Sequence, residues 1–564
     1  MSTVPYLYQL DAKSDLHRNV ADFHPNIWED YFLQYASQSM SLVNTMQELD
    51  QTMVAQIETL KSDVRNMLVS KTEKPLIKVH LIDSICRMGV SYHFEHEIEE
   101  ILQHIHNNYV ENGEITIEDN LCSLGVLFRL LRQQGLYVSP NVFNKLKDEQ
   151  GYFSEKLIRD VEGMLSLYEA THTMIHGENI LEEALAFTTT NLEFIANQSS
   201  HPHAIQVKHS LRQALYKNVP RIEARHYISM YEQDRSHNEN LLILAKLDFN
   251  MLQNLHQKEF GNSCKWWKEL DVPSKLPYAR ERIEESCFWA MGAYFEPRYS
   301  AARSILTKLV IIITCIDDTY DAYGKIDELE LFTKAIERWD INCTDNLPDY
   351  MKFLYKLIFD LYEEVKHEMR KEGREYAPNY YAKEFIKYVQ AYMTEARWLN
   401  NNYKPTLEEY IRVSTESSGY AIVTTTCYIG MGDIATEDVF KWVSSEPKAI
   451  NAAIVICRLM DDLVSNEFEQ KRDHISSFLE CYMKKYNISR EAAIQEGRKR
   501  IADAWKDLNE ECLRPTQVPI PILTIILNLS RFMDVVYKDK DNFTHPEGEM
   551  KTFIKALLVD PVPL

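Results

Sequence analysis

The spacing of apolar residues along most of this chain is that of amphipathic α-helices. In the segment 181–187 they recur at i, i+3 or i+4 and i+6, and Leu241, Leu244 and Leu247 begin a longer helical stripe. Such spacing places apolar side chains on one helix face. Only 16 of the 564 residues are glycine, which favours long helices over turn-rich β structure. Short polar breaks separate the predicted helices at residues 71–74, 111–114 and 198–203.

A polar run at residues 232–240 divides the chain into two parts. A chain of 564 residues is long enough for more than one domain. The first part contains no residue constellation that we would assign to chemistry, and no repeat regular enough to indicate a solenoid. We therefore predict two domains, with residues 1–236 as a noncatalytic helical support and residues 237–564 as the part that carries the chemistry.

A first acidic stretch follows the apolar run 309–316 and consists of Asp317, Asp318 and Asp321. The run is typical of a buried helix that ends near Gly324. On that helix Asp317 and Asp321 share a face, where like charges repel, and the helix dipole disfavours anions there by roughly 0.3–1 kcal/mol each. Such carboxylates suit Mg²⁺, which typically uses one or two carboxylates together with substrate phosphates. An ordinary solvated helix end is the alternative.

A second acidic stretch follows the apolar run 452–457. Asp461, Ser465 and Glu469 are spaced i, i+4, i+8, so on a helix they line one stripe about 12 Å long. Arg458 lies one turn earlier, beside the same stripe. Oxygen ligands beside an arginine fit a metal–diphosphate complex, because the guanidinium fork binds phosphate oxygens. A solvated helix face with an Arg–Asp pair is the alternative, but two apolar helices that both run into acidic oxygens favour a metal site.

Two arginines precede the aromatic-rich segment 283–295, which contains Trp289. Arg280 and Arg282 would point apart on a helix, because they are two residues apart. In an irregular segment before the helix, both could bind one anion. Two ordinary surface arginines are the alternative.

Two interruptions of the helical pattern could border a cavity. Ser417-Ser-Gly-Tyr420 contains a glycine flanked by serines, which is either a helix break that exposes backbone carbonyls to a cavity or a packing kink. Tyr537 and Asp541 lie in the polar loop 537–549. This loop is either a mobile charged loop or an active-site lid.

Charge and composition narrow the possible partners and the compartment. A net charge of −22 argues against nonspecific binding to nucleic acid or to an anionic membrane. Ten cysteines without a CxxC pair argue against a zinc site or a disulfide framework and fit a reducing compartment. The N-terminus has neither an apolar signal core nor an Arg/Ser-rich transit stretch, and we find no apolar run approaching the ~20 residues that span a bilayer. We expect a soluble, cytoplasmic protein without membrane insertion.

The two acidic stretches resemble a known pair of motifs. Residues 317–321 match DDxxD, and residues 461–469 match (N/D)Dxx(S/T)xxxE. Together with the segments 265–268 and 280–282, they make the chain similar to plant class I terpene synthases of the sesquiterpene type. This resemblance implies an all-α protein of two helical domains: an α-barrel-like N-terminal domain, and a C-terminal class I terpenoid synthase bundle that holds the active site. It also implies that an N-terminal strand caps that site.

The resemblance assigns roles to the candidate residues. It implies three Mg²⁺ ions, which Mn²⁺ can replace. It also implies that Asp318 mainly supports the aspartates that hold the metal. It implies that arginines bind the diphosphate, that an aromatic residue forms part of the cavity wall, and that polar residues lie in a lid loop. That loop is one residue shorter than in some relatives and has Phe543 where tyrosine is frequent. The implied assignments are Asp317 and Asp321 for two metal ions, Asp461, Ser465 and Glu469 for the third, Arg280, Arg282 and Arg458 for diphosphate, Trp289 for the wall, and Tyr537 and Asp541 for the lid.

Two departures from the family pattern narrow the expected substrate. Monoterpene synthases usually carry a tandem Arg-Arg before a tryptophan, whereas Arg18-Asn19 precedes Trp28 at that spacing. Only 17 residues precede Arg18, which leaves no room for a plastid transit peptide. Both features favour a cytosolic enzyme that uses farnesyl diphosphate, and the absence of Asp-x-Asp-Asp argues against protonation-initiated cyclisation. We further expect the enzyme to be a monomer and to cyclise the cation that ionisation produces.

Other functions stay open at this point. The product could be acyclic, or the substrate could be geranyl diphosphate. A trans-prenyltransferase would carry two DDxxD-type motifs, whereas the second motif here has Ser465 and Glu469. A noncatalytic helical scaffold would release no diphosphate.

Overall fold

The structure is a computed structural model that describes residues 18, 23–36, 40–70, 75–110, 120–198, 200–469 and 475–564. In these ranges the chain is helical and contains no β-strand, only one antiparallel bridge between Lys147 and Phe153. The predicted all-α fold class is therefore confirmed. The predicted breaks at 71–74 and 111–114 lie outside the described residues. The break at 198–203 is found, because one helix ends at Ala196 and the next begins at Ala204.

The described residues of the N-terminal part are mostly helical. Its helices are α1 (Met40–Val69), α2 (Pro75–Arg87), α3 (Glu95–Ile105), α4 (Leu121–Gln133), α5 (Val161–Thr171), α6 (Asn179–Ala196), α7 (Ala204–Arg212) and α8 (Pro220–Gln233). Short 3₁₀ turns lie at Tyr31–Tyr35, Ser91–His93, Pro140–Leu146, Glu155–Arg159 and Leu215–Lys217, and a π-helical turn at His106–Val110.

The C-terminal part contains the longest series of helices. They are α9 (Glu239–Glu269), α10 (Val272–Lys275), α11 (Ile283–Ala293), α12 (Ser300–Asp318), α13 (Ile326–Arg338), α14 (Asp349–Lys371), α15 (Ala377–Asn400), α16 (Leu407–Ser417), α17 (Tyr420–Ile429), α18 (Glu437–Ser444), α19 (Lys448–Glu469), α20 (Phe478–Tyr486), α21 (Arg490–Glu511), α22 (Ile520–Val536) and α23 (Glu549–Leu558). Short 3₁₀ turns lie at Pro297–Tyr299 and Gly432–Ile434, and a π-helical turn at Thr319–Tyr323.

The polar run that divides the sequence forms the turn between α8 and α9. Asn238 caps α9, because its side chain accepts a hydrogen bond from the Leu241 amide at 3.0 Å. Short polar side chains at this position satisfy amides that the first helical turn leaves unpaired. Buried apolar side chains form one continuous core on both sides of this turn. The domain boundary near residue 237 stays a prediction.

Helix α12 lies in the middle of the C-terminal core, in contact with α9, α11, α14 and α17. Leu309, Ile311, Ile312 and Ile316 are fully buried there. Each such side chain stabilises the fold by about 1.5–3 kcal/mol relative to an exposed position. Helix α19 contacts α17, α21 and α22, so α12 and α19 are both in contact with α17. The two helices that end in acidic stretches thus belong to one bundle.

The central helix also corrects one sequence expectation. The continuous helical segment Pro297–Tyr323 is, by length and composition, long and apolar enough to cross a membrane. The expectation that no apolar run approaches that length was wrong. In this fold 67% of the segment's most apolar window is buried inside the protein. A helix surrounded by other helices is apolar on all sides for that reason.

Candidate active site

The ends of α12 and α19 face one cavity. Asp317 and Asp321 line it from α12 and the turn that follows, and Arg458, Asp461 and Ser465 line it from α19. The remaining walls come from α11, α15, α16, α17 and α22 and from the segment before α23. The sequence-predicted residues that line this cavity are Arg280, Trp289, Asp317, Asp321, Arg458, Asp461, Ser465, Tyr537 and Asp541.

The first acidic stretch lies where α12 changes from α- to π-helical geometry. The π-turn Thr319–Tyr323 ends at Gly324, whose amide donates to the Thr319 carbonyl at 2.7 Å. The predicted helix end near Gly324 is therefore confirmed, but its last turn is wider than the α-helix assumed for the spacing of Asp317 and Asp321. Such local widening is frequent at functional sites.

The third aspartate of this stretch points away from the cavity. Asp318 is 1% exposed and does not line the cavity. One of its carboxylate oxygens accepts the backbone amide of Arg280 at 2.7 Å, and the other lies 2.9 Å from Arg280 Nε. Burial raises the pKa of Asp318, and the Arg280 charge opposes that shift. Asp318 thus holds Arg280 in place beside Asp317.

Arg280 and Tyr392 bind the carboxylate that faces the cavity. Arg280 Nη2 forms an ion pair with Asp317, and Tyr392 donates its hydroxyl to the other oxygen of Asp317 at 2.6 Å. Burial and the Asp317 charge raise the pKa of Tyr392, so the phenol stays protonated and acts as a donor. Arg280 also donates to the Thr544 hydroxyl at 3.0 Å, and its guanidinium lies 4.8 Å from the ring centre of Phe23.

The second acidic stretch also contains a more exposed aspartate, Asp461, and a buried one, Asp462. Arg458 is paired with Asp461, and its Nε donates to Asp462 at 2.8 Å. Asp462 is 1% exposed and accepts further hydrogen bonds from the Tyr410 hydroxyl and, at 3.0 Å, from the Phe478 amide. Asp462 therefore fixes Arg458 and the start of α20, and both aspartates of this stretch line the cavity.

Ser465 lies one turn beyond Asp461. Its hydroxyl is buried and has no hydrogen-bond partner among the described residues. A buried hydroxyl without a partner is rare and costs stability, so such a group indicates a site for a ligand. Glu469 ends α19, and its side chain lies outside the described residues.

The predicted interruption at residues 417–420 borders the cavity. Helix α16 ends at Ser417 and α17 begins at Tyr420, with Gly419 between them at φ +71°. Glycine adopts this left-handed backbone without steric cost. Ser417, Ser418 and Tyr420 line the cavity, and Ser417 donates to Glu395 at 2.6 Å. The helix break is thus confirmed, and it adds polar groups to one wall.

Aromatic and aliphatic side chains form the rest of the wall. Trp289 is half-buried and lies 4.9 Å from the ring of Phe532 and 5.5 Å, edge to face, from that of Phe543. Tilted and edge-to-face ring contacts of this kind hold an aromatic side chain in one orientation. Further apolar lining comes from Phe23, Val310, Ile313, Val423, Cys457 and Met533.

The loop between α22 and α23 closes the cavity beside these rings. We call residues 537–548 the lid loop. Tyr537 is buried, and Asp541 accepts hydrogen bonds from the amides of Phe543 and Thr544, both at 2.9 Å. Asp541 therefore shapes its own loop as well as lining the cavity.

One sequence-predicted residue does not reach the cavity. Arg282 is fully buried, and its guanidinium donates to the backbone carbonyls of His24, Phe543 and Thr544 and to that of its own neighbour Glu281. The prediction placed it beside Arg280 on one anion. Both arginines do lie in an irregular segment before α11, but their side chains point in different directions.

Comparison with known proteins agrees with this geometry. Residues 27–215 match the terpene synthase N-terminal domain, and residues 268–507 match the metal binding domain of the terpene synthase family. The chain is 50% identical over 551 residues to (-)-germacrene D synthase of Vitis vinifera, which covers 98% of this chain and 97% of that protein. It is 47% identical over 563 residues to a sesquiterpene synthase of Santalum spicatum, covering 100% and 98% of the two chains.

A solved structure shares the fold over most of both chains. Isoprene synthase from grey poplar leaves (Populus x canescens), in complex with three Mg²⁺ ions and dimethylallyl-S-thiolodiphosphate, superposes with a TM-score of 0.86. Its sequence is 32% identical, and the match covers 91% of this chain and 98% of that one. The chain belongs to the terpene synthase family.

The donor atoms of this terpene synthase fit the metal that the family requires. Asp317, Asp321 and Asp461 offer hard carboxylate oxygens, and Ser465 offers the buried hydroxyl without a described partner. Oxygen donors of this kind suit Mg²⁺. No group of three or more His, Cys, Asp or Glu side chains is already assembled around a single point within the described part of the chain. Asp317 and Asp461 are each paired with an arginine instead.

Sequence reasoning missed several residues of the terpene synthase cavity. Tyr388, Tyr392 and Glu395 line it from α15, and Tyr410 lines it from α16. The first three follow a spacing of i, i+4 and i+7, which places them on one helix face. Two tyrosines and a glutamate on one face of α15 were the available signal.

Proposed function

We propose that this terpene synthase is a sesquiterpene synthase, which ionises farnesyl diphosphate, releases diphosphate and cyclises the resulting cation to a C15 hydrocarbon or alcohol. The observation that carries the proposal is the meeting of both acidic stretches at one cavity with an apolar wall. The relative from Santalum spicatum, named a sesquiterpene synthase and matched over the full chain, supports the C15 substrate.

We propose three Mg²⁺ ions as the cofactor, with Mn²⁺ as a substitute. Asp317 and Asp321 would hold two of them, and Asp461 and Ser465, with Glu469 as the family pattern implies, would hold the third. When bound, the ions act as Lewis acids that stabilise the negative charge of the diphosphate oxygens. The isoprene synthase complex, which contains three Mg²⁺ ions, supports the number.

The arginines that line the cavity bind the leaving group. Arg280 and Arg458 both present charged donors there, and buried aspartates hold them in position. Donors that are fixed before the reaction stabilise developing negative charge without having to reorganise. The leaving diphosphate therefore meets preorganised positive charge on both sides of the cavity, from Arg280 near α12 and from Arg458 on α19.

The apolar wall controls the isoprenoid cation. Water would quench the cation, so the wall and the lid loop must exclude it. The face of Trp289 stabilises positive charge by roughly 0.5–2 kcal/mol. The shape set by Trp289, Phe532 and Phe543 holds the chain in one conformation, and that conformation selects the product.

The test is an assay of the purified enzyme with C10 and C15 prenyl diphosphates in separate reactions. We expect Mg²⁺-dependent release of diphosphate from farnesyl diphosphate, products of C15 by gas chromatography with mass detection, and loss of turnover with a chelator. Faster turnover of geranyl diphosphate than of farnesyl diphosphate would instead indicate a monoterpene synthase. Chain elongation on adding isopentenyl diphosphate would indicate a prenyltransferase.

We also propose that the enzyme acts in the cytosol as a monomer, with its prenyl diphosphate as partner and without binding nucleic acid or inserting into a membrane. The ten cysteines are all free thiols, which supports a reducing compartment. The net charge of −22 disfavours contact with polyanions. Fractionation of the native tissue and light scattering of the pure protein test these two points.

A further inference from the structure

Arg282 joins three separate segments of the chain. We call residues 23–28 the strap. Arg282 Nη2 donates to the carbonyl of His24 in the strap at 2.5 Å and to that of Thr544 in the lid loop at 2.9 Å. Its Nε donates to the Phe543 carbonyl at 3.0 Å, and Nη1 donates to the Glu281 carbonyl at 2.8 Å. The guanidinium thus bonds the strap and the lid loop to the start of α11.

These bonds use most of the donors that the side chain has. A guanidinium carries five N–H groups, and Arg282 donates four hydrogen bonds to carbonyls among the described residues. The side chain is 0% exposed and does not line the cavity. To bind diphosphate, it would have to leave these carbonyls without their donor, which is unfavourable for buried polar groups.

The charge of Arg282 is compensated outside the cavity. Burial lowers the pKa of Arg282, and the carboxyl of Glu285, in the first turn of α11, opposes that shift. Glu284 beside it accepts a hydrogen bond from the Asn26 amide at 3.2 Å, which is a second attachment of the strap to α11. The strap, the lid loop and α11 therefore share one buried polar junction.

Arg280 occupies a different position. It faces the cavity, pairs with Asp317, and touches the lid loop through the Thr544 hydroxyl and the strap through the Phe23 ring. Arg280 can respond to events in the cavity, whereas the hydrogen bonds of Arg282 to described residues all go to backbone carbonyls. Two arginines that are two residues apart in the sequence thus have separate tasks.

We propose that Arg282 is a positioning residue that fastens the strap to the lid loop, so that the two cover the cavity as one unit and keep water from the carbocation. The proposal rests on the proposed function and deepens it. It predicts that Arg282 influences how the cation is quenched much more than how fast diphosphate departs.

The experiment compares Arg282→Gln and Arg282→Lys with Arg280→Gln and with Asn542→Ala. Asn542 is buried in the lid loop, donates to the Val536 carbonyl at 2.9 Å and does not line the cavity, so Asn542→Ala loosens the same loop without touching Arg282. Hydrogen exchange of residues 23–28 and 541–548 is measured first, without substrate. Initial rates of diphosphate release and the ratio of alcohol to hydrocarbon products are measured next.

For Arg282→Gln we expect roughly tenfold faster exchange in both the strap and the lid loop, because the loss of even one net hydrogen bond changes the opening equilibrium by about that factor. The alcohol fraction should rise while kcat for diphosphate release stays within about threefold of wild type, a range that corresponds to less than 1 kcal/mol. Arg282→Lys should fall between Arg282→Gln and wild type. Asn542→Ala should accelerate exchange in the lid loop and, like Arg282→Gln, raise the alcohol fraction.

Two results would overturn the proposal. One is unchanged exchange in both segments of Arg282→Gln. The other is a loss of diphosphate release as large as that of Arg280→Gln with unchanged products, which would make Arg282 a diphosphate ligand. If Arg282→Gln does not fold, Arg282→Lys and Asn542→Ala decide by the same criteria. If the wild type releases no diphosphate from farnesyl diphosphate, the proposed function fails, and the exchange data still decide whether Arg282 joins the two segments.

Discussion

Asp317→Ala separates the chemistry of the site from the stability of the fold. The carboxylate is 29% exposed in its side chain and is bound by Arg280 and Tyr392. A partly exposed ion pair contributes about 0–1 kcal/mol to stability. Leaving the Tyr392 hydroxyl without its acceptor costs roughly 1–3 kcal/mol. We therefore expect a loss of about 2 kcal/mol, which for a chain of this size lowers the melting temperature by roughly 5 °C or less.

The effect on turnover should be far larger than the effect on stability. Removing one preorganised group that stabilises developing charge typically costs about 10²–10³-fold in kcat. The assay is diphosphate release from farnesyl diphosphate at saturating Mg²⁺, with circular dichroism and thermal melting on the same samples. A folded Asp317→Ala protein that kept more than about a tenth of wild-type turnover would refute the metal role, because its loss of turnover would be well below the expected factor of about 10²–10³.

Two control variants make this result specific. Tyr392→Phe deletes the hydrogen bond to Asp317 and keeps the carboxylate, so it should reproduce part of the stability loss without a comparable loss of turnover. Asp345→Ala removes an exposed aspartate on the surface and should leave both quantities unchanged. Equal losses of turnover in Tyr392→Phe and Asp317→Ala would indicate that local packing, and not the carboxylate, is what the reaction requires.

Three further predictions concern the other wall of the cavity and the buried acids. Asp461→Ala should lower diphosphate release about as much as Asp317→Ala, and near-normal turnover would remove α19 from the site. Trp289→Leu should change the products or lead to earlier quenching of the cation. An unchanged product profile by gas chromatography would show that Trp289 is not part of the working wall. Burial raises the pKa of Glu169 from 4.5 to about 7, so between these values the native state holds a proton that the unfolded chain has lost. The free energy of unfolding should therefore fall as pH rises through this window, by up to about 1.4 kcal/mol per pH unit, and level off above it. Thermal melting from pH 5 to 8 should show that stability depends less on pH in Glu169→Gln than in the wild type, and as much as in the wild type in Glu193→Gln, which changes an exposed residue. The same pH dependence in all three proteins would contradict the raised pKa of Glu169.

The sequence predicted those features that depend on residues close together in the chain. The apolar run before Asp317 required a buried helix, and the breaks at Gly324 and Gly419 follow from residues that end helices. The stripe of Asp461 and Ser465 depends only on helical periodicity. These elements could be placed because each depends on neighbours within a few turns.

Other features depend on contacts between distant segments and could not be read from spacing. In each acidic stretch the second aspartate, Asp318 or Asp462, is buried and holds an arginine, and only the packed bundle shows that Asp462 lines the cavity whereas Asp318 does not. Arg282 bonds to carbonyls that lie 258 and 262 residues away in sequence. The apolar helix Pro297–Tyr323 has the composition of a membrane span, and only its neighbours show that it is a core helix.

The family pattern predicted the residue set better than the direction of each side chain. It placed Arg280 and Arg282 together on diphosphate, whereas only Arg280 lines the cavity. It did not point to Tyr392 or Tyr410, although these two hydroxyls bind Asp317 and Asp462. These hydroxyls orient the two carboxylates and therefore belong to the supporting structure of the site.

The most direct test of the account is a crystal structure with Mn²⁺ and a thiolo-diphosphate analogue of the farnesyl substrate, with anomalous scattering used to locate the metal. We predict metal peaks within bonding distance of Asp317 and Asp321 on one side of the cavity and of Asp461 and Ser465 on the other, with the diphosphate between them. Metal bound at only one of the two helices, or a diphosphate bound outside this cavity, would contradict it.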